Sequence, residues 1–196
     1  MDRGTITGGR AMSAWIACNL LGLLTSVVLV LALRMPTSPF NGAATILVLV
    51  LPTTIAQWLL LRRLLGLSPL WLLTMPLGCI VFVGLISAIP PSLWQLVDDE
   101  GIGTISALYG ALGVLIGAAQ WLILRRTLGA AWVWVAASAA GLGLGFALVL
   151  STRLIDRSEV AGYAVVFAIY VGLSGAALTW MLSRAALSPG TRVTAA

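Results

Sequence analysis

Six stretches of this chain, residues 11–33, 43–61, 70–89, 102–124, 132–151 and 161–182, contain no Asp, Glu, Lys or Arg. Each is 19 to 23 residues long. At ~1.5 Å of rise per residue, a helix of that length crosses a hydrocarbon layer ~30 Å thick. Lipid offers no water for the backbone, so every N–H and C=O must be paired within its own segment, and an open chain meets that demand as a helix. Composition leaves no soluble alternative, since 60% of residues are hydrophobic and 9% charged, against about a quarter charged in soluble domains. The expected fold is all-α: a polytopic integral membrane protein of six transmembrane helices in one membrane domain, 1–196, with short tails at 1–10 and 185–196. The first stretch reads as a membrane helix rather than a signal peptide. Its length exceeds a usual signal core, and Arg34-Met35-Pro36 is no small-residue cleavage site.

Arginine counting sets the orientation. Six crossings put both ends of the chain on one side. That side holds Arg3, Arg10, Arg62, Arg63, Arg125, Arg126, Arg184 and Arg192 with the single acid Asp2. The opposite side holds Arg34, Arg153 and Arg157 with Asp98, Asp99, Glu100, Asp156 and Glu159. The positive-inside rule then predicts a bacterial inner (cytoplasmic) membrane protein with both termini in the cytoplasm. The arginines cluster at helix ends rather than on a soluble face, which argues against nucleic acid as a partner. Their expected partners are membrane lipids, with anionic headgroups on the cytoplasmic side.

The ends of the even-numbered stretches repeat. Ala56-Gln57-Trp58-Leu59-Leu60-Leu61-Arg62-Arg63 returns as Ala119-Gln120-Trp121-Leu122-Ile123-Leu124-Arg125-Arg126, and more loosely as Thr179-Trp180-Met181-Leu182-Ser183-Arg184. The odd-numbered stretches repeat as well: Trp15, Trp71 and Trp134 each precede a glycine by seven residues, at Gly22, Gly78 and Gly141. The expected unit is a helical hairpin, in three tandem copies at approximately 11–63, 70–126 and 132–184. Two crossings per unit make the copies parallel repeats, which suits a pseudo-threefold axis along the membrane normal. The Gln-Trp-x-x-Leu-Arg-Arg ending, with upstream glycines and a tryptophan opening the next helix, resembles a group of bacterial multi-span membrane proteins that carry such hairpin units. The resemblance covers most of the chain and implies a fold but no activity. The third unit departs from it at Thr179 and Ser183.

Gly110, Gly113, Gly117 and Gln120 are spaced three, four and three apart, so they share one helix stripe. Small residues let membrane helices approach closely, which turns Gln120 toward a neighbouring helix. Gly141 and Gly145 form a second close-packing pair, and Gly172 leads to Thr179 as Gly113 leads to Gln120. Gln57, Gln120, Thr179 and Asn19 are the candidate polar sites. They either bond between helices or receive a headgroup, an ion or a pigment carbonyl. The expected headgroup anchors are Arg62, Arg63, Arg125, Arg126 and Arg184 with Trp58, Trp121 and Trp180. Seven of the eight tryptophans fall on the predicted inner side, Trp94 being the exception; an interfacial belt or a docking surface for a membrane partner would both place them there. Pro52 and Pro76 should kink their helices. Asp98-Asp99-Glu100 reads as a solvated loop. Cys18 and Cys79 read as small apolar fillers.

The inventory argues against catalysis. There is no histidine and no lysine, which removes imidazole bases, imidazole metal ligands and Schiff-base chemistry. No catalytic residue and no metal site is predicted, and no particular cofactor is implied. The expected function is that of a non-enzymatic accessory or assembly subunit of a membrane complex. The alternatives are a small transporter or channel for a neutral or lipid-like solute, and a binder of an apolar cofactor such as a carotenoid or quinone.

Overall fold

The computed structural model describes residues 8–33, 43–88, 90 and 101–187. Arg3, Arg34, Trp94, Arg192 and the Asp98-Asp99-Glu100 cluster lie outside the described residues. Those described are helical, with short turns between: α1 Gly8–Ala32, α2 Ala43–Leu65, α3 Trp71–Ser87, α4 Ile102–Leu124, α5 Trp132–Ser151, α6 Leu154–Arg157 and α7 Glu159–Leu187. Four helices are long and apolar enough to cross a membrane, over Gly9–Ala32, Ile102–Leu124, Trp132–Ser151 and Ala161–Ala186. The third is shorter than the sequence suggested, 17 residues rather than the 20 of stretch 70–89. The four-residue α6 had no signal in the apolar pattern. It begins after Arg153, whose φ of 52° turns the chain sharply before α7.

The helices close into a ring. α1 packs on α2, α2 on α3, α3 on α4, α4 on α5, α5 on α7, and α7 returns to α1. Apart from α6 resting on α5 and α7, no other pair of helices approaches within 8 Å between Cα atoms, among the described residues. At one end of the ring, α2, α4 and α7 finish and α1, α3 and α5 begin. Gly66, at φ 68°, ends α2 there. Its N–H bonds the Arg62 carbonyl at 2.9 Å, a left-handed cap that glycine adopts without steric cost.

α1, α3 and α5 face inward with a tryptophan, small and polar residues and few large aliphatics, and with no leucine. In α1 the buried stripe is Ala11, Trp15, Asn19, Gly22 and Ser26. In α3 it includes Trp71, Thr74, Gly78 and Phe82; in α5, Trp134, Ser138, Gly141, Gly145 and Val149. Successive members of these stripes are three or four apart, the spacing of one helix face. The leucines point out: Leu21, Leu24 and Leu31 of α1 are 63%, 63% and 70% exposed. An apolar outer face this extensive belongs in lipid rather than water.

Glycine lets the backbones touch. A Cβ on Gly22 would meet the Thr53 backbone, and one on Gly113 the Ser138 carbonyl. One on Gly141 would sit 2.8 Å from Tyr170 Cα, and one on Gly117 2.9 Å from Val135 Cα. A Cβ on Gly145 would lie 3.1 Å from Val166 Cα, and Gly110 is looser, its Cβ position 3.8 Å from the Ala139 carbonyl. At Gly172 a Cβ would meet nothing within 4 Å. The close contact of α7 with α1 is made instead at Gly175, where a Cβ would lie 2.6 Å from Met12 Sδ and 2.7 Å from Trp15 Cδ1. Neither internal proline opens the ring: Pro76 is buried and Pro52 half-buried within continuous helices.

Candidate functional site

Three tryptophans fill the middle of the ring at the end where α1, α3 and α5 begin. Trp15, Trp71 and Trp134 have no exposed surface. Trp134 meets Trp15 edge to face at 5.3 Å between ring centroids and 82° between planes, and meets Trp71 at 5.9 Å and 66°. The arrangement sets ring edges against ring faces, as the quadrupoles prefer. Leu61, Leu124, Leu178 and Met181, near the ends of α2, α4 and α7, complete this core.

Polar side chains surround the plug. The Asn19 amide nitrogen donates to the Trp15 carbonyl at 2.8 Å, and its oxygen accepts from Gln57 Nε2 at 2.8 Å. That pair joins α1 to α2. The α2–α3, α4–α5 and α7–α1 interfaces each carry a polar contact as well. At α2–α3 the Thr54 hydroxyl, bonded to the Val50 carbonyl at 2.7 Å, lies 3.3 Å from Met75 Sδ. At α4–α5 the Trp134 indole N–H donates to Gln120 Oε1 at 2.6 Å. At α7–α1 the Trp15 indole donates to Ser174 Oγ at 3.1 Å, while the Ser174 hydroxyl donates to the Tyr170 carbonyl at 2.7 Å. All these side chains except Met75, which is half-buried, are buried, where an unmade bond costs more than a made one contributes.

Several buried polar atoms have no hydrogen-bond partner among the described residues: Gln57 Oε1, Gln120 Nε2, Trp71 Nε1, Ser138 Oγ, Thr179 Oγ1 and the Tyr170 hydroxyl. Tyr170 lies beside Ser138 and Gln57 without bonding geometry to either. The interior therefore offers amides, hydroxyls and indole N–H groups. It can recognise a neutral polar group. No cluster of three or more His, Cys, Asp or Glu that could hold a metal occurs among the described residues.

No protein-family model matches the chain, and neither curated proteins nor solved structures gave a match.

Outside the plug, the same end of the ring carries three cation–π pairs. Arg62 sits over Trp58 at 5.1 Å, Arg125 over Trp121 at 4.9 Å and Arg184 over Trp180 at 4.6 Å. Each pair is four residues apart, one helical turn. Trp58 and Trp121 are half-buried. Arg63 and Arg126 are exposed.

Of the residues singled out from sequence, Asn19 and Gln57 are bonded together, Gln120 reaches α5, and Thr179 is half-buried on α7. The arginine–tryptophan pairs share one end. Sequence reasoning missed the central role of Trp15, Trp71 and Trp134, and the parts played by Ser138, Tyr170 and Ser174. A signal existed for the tryptophans. Each lies seven residues before Gly22, Gly78 or Gly141, so it shares a face with a glycine that packs against another helix.

Proposed function

We propose that this chain is a non-enzymatic six-span protein of the bacterial inner membrane, built of three tandem, like-facing hairpins with both termini cytoplasmic. In this reading it serves as an accessory or assembly subunit of a membrane complex. The observation that carries it is the plug of Trp15, Trp71 and Trp134, which fills the ring axis and, through the Trp15 and Trp134 indoles, bonds α1 to α7 and α5 to α4. A ring closed at its centre has its outer wall to offer a partner. Trp132 and Trp180 supply aromatic surface on that wall, 64% and 37% exposed at the arginine end. Three features support the repeat: equivalent tryptophans meet at the axis, one arginine of each unit stacks on an equivalent tryptophan, and Gly22 and Gly78 each pack on the next helix. Purification in mild detergent tests the reading. A membrane protein should copurify in fixed ratio, and Trp132→Ala or Trp180→Ala should reduce its yield. A lone monomer with no partner overturns the proposal.

A second reading, passage of a neutral solute, draws on the unpartnered polar atoms of Gln57, Gln120, Ser138 and Tyr170. Solute uptake into proteoliposomes that is lost in Gln57→Leu and Gln120→Leu would favour it over the first.

A further inference from the structure

Two grooves run down the lipid-facing side of the ring, one between α1 and α2 and one between α3 and α4. Their volumes are about 570 and 460 Å³. They are built from matching positions of the first two hairpins: Leu21 and Leu77, Leu59 and Leu122, and at one end Arg63 and Arg126. The match extends to the helix contact beneath, where Gly22 meets Thr53 and Gly78 meets Ile116. The first groove follows α1 from Cys18 to Leu29 and the second follows α3 from Leu70 to Val81. Counted from the Gly22–Thr53 and Gly78–Ile116 contacts at ~1.5 Å per residue, the first groove reaches about 26 Å from the level of Arg63 and the second about 20 Å from that of Arg126, each longer than the ~15 Å of hydrocarbon in one leaflet.

The charge at the groove ends is selective. In each Arg-Arg pair the first guanidinium, Arg62 or Arg125, lies over its tryptophan. The second, Arg63 or Arg126, lines the groove and is exposed. Among the described residues neither has an ion-pair partner. A long, largely apolar channel ending in a guanidinium with no protein counter-ion matches an acyl chain topped by a phosphate. In the third hairpin Ala185 stands where the others have the second arginine.

We propose that each of these two grooves binds one anionic phospholipid, its acyl chain between the paired helices and its phosphate on Arg63 or Arg126. The chain therefore has two equivalent lipid sites where its hairpins number three. The proposal does not depend on the accessory-subunit reading, because it concerns the isolated chain in lipid.

Native mass spectrometry of the full chain titrated with phosphatidylglycerol or phosphatidylcholine tests it. The wild type should retain two phosphatidylglycerol molecules at concentrations where phosphatidylcholine is lost. Arg63→Gln and Arg126→Gln should each retain one, and the double variant none. Arg63→Lys, Arg126→Lys and Arg10→Gln should keep two. Thermal unfolding within the wild-type range confirms that the variants are folded, as exposed positions lead one to expect. Equal retention of both lipids, or two lipids on the double variant, overturns the proposal, as does a copurified protein that occupies the grooves in their place.

Discussion

Trp134 holds Trp15 edge-on at 5.3 Å and, with its indole N–H, holds Gln120 at 2.6 Å. One side chain thus ties α5 both to the ring axis and to the preceding hairpin. Trp134→Ala should lose ~3–5 kcal/mol of stability, the usual result of emptying a large buried aromatic site. Trp132→Ala, two residues away and 64% exposed, should stay within about 0.5 kcal/mol of wild type. Unfolding in detergent monitored by circular dichroism checks both. Equal effects of the two substitutions would mean that the tryptophans do not meet at the axis.

Among the described residues Gln57 and Asn19 form the one side-chain amide pair, at 2.8 Å. A double-mutant cycle with Gln57→Leu and Asn19→Leu should return a coupling of about 0.6 kcal/mol, with ~1.7 as the ceiling seen for such bonds in membranes. Additive losses would show that the two amides act independently.

The glycines separate into those that touch backbone and those that do not. Gly113→Ala must push against the Ser138 carbonyl and Ala139 backbone, which has no rotamer to give. A loss of about 1–3 kcal/mol is expected, as for other overpacked sites. Gly172→Ala meets open space and should be neutral or stabilising by up to ~1 kcal/mol through better helix propensity. Parallel melts of the two variants decide this, and a reversed order would mean that the α4 and α5 backbones do not touch at Gly113.

Sidedness follows from the proposed six crossings. Thr127 and Ser158 are both exposed, in the turns after α4 and before α7. In a Cys18→Ala, Cys79→Ala background, Thr127→Cys should react with an impermeant thiol reagent only from the cytoplasmic side, and Ser158→Cys only from the opposite side. Labelling of both from one side would rule out the proposed topology.

The helices and the glycine seams were legible because their signals are local. An uncharged run long enough to cross lipid leaves the backbone little choice, and a glycine–glutamine stripe at three-and-four spacing turns Gln120 inward. Trp15, Trp71 and Trp134 were harder. An indole near the end of a membrane helix suits the headgroup interface as well as the core. Only the face it shares with Gly22, Gly78 or Gly141 tells the two apart. Gly175 escaped notice in favour of Gly172 because both lie on α7 at positions where glycine is ordinary. The choice between them depends on where Trp15 arrives from a helix distant in sequence. Ser174, whose bond to Trp15 spans 159 positions of chain, carries no local mark at all.

The return of α7 to α1 sets an order on biogenesis. Synthesis delivers α1 first, so its Trp15 indole and the flank later covered by Gly175 must wait in the bilayer through five further helices. During that interval the growing molecule is an open crescent, with an unsatisfied donor at one tip. The arrival of Ser174 latches it shut.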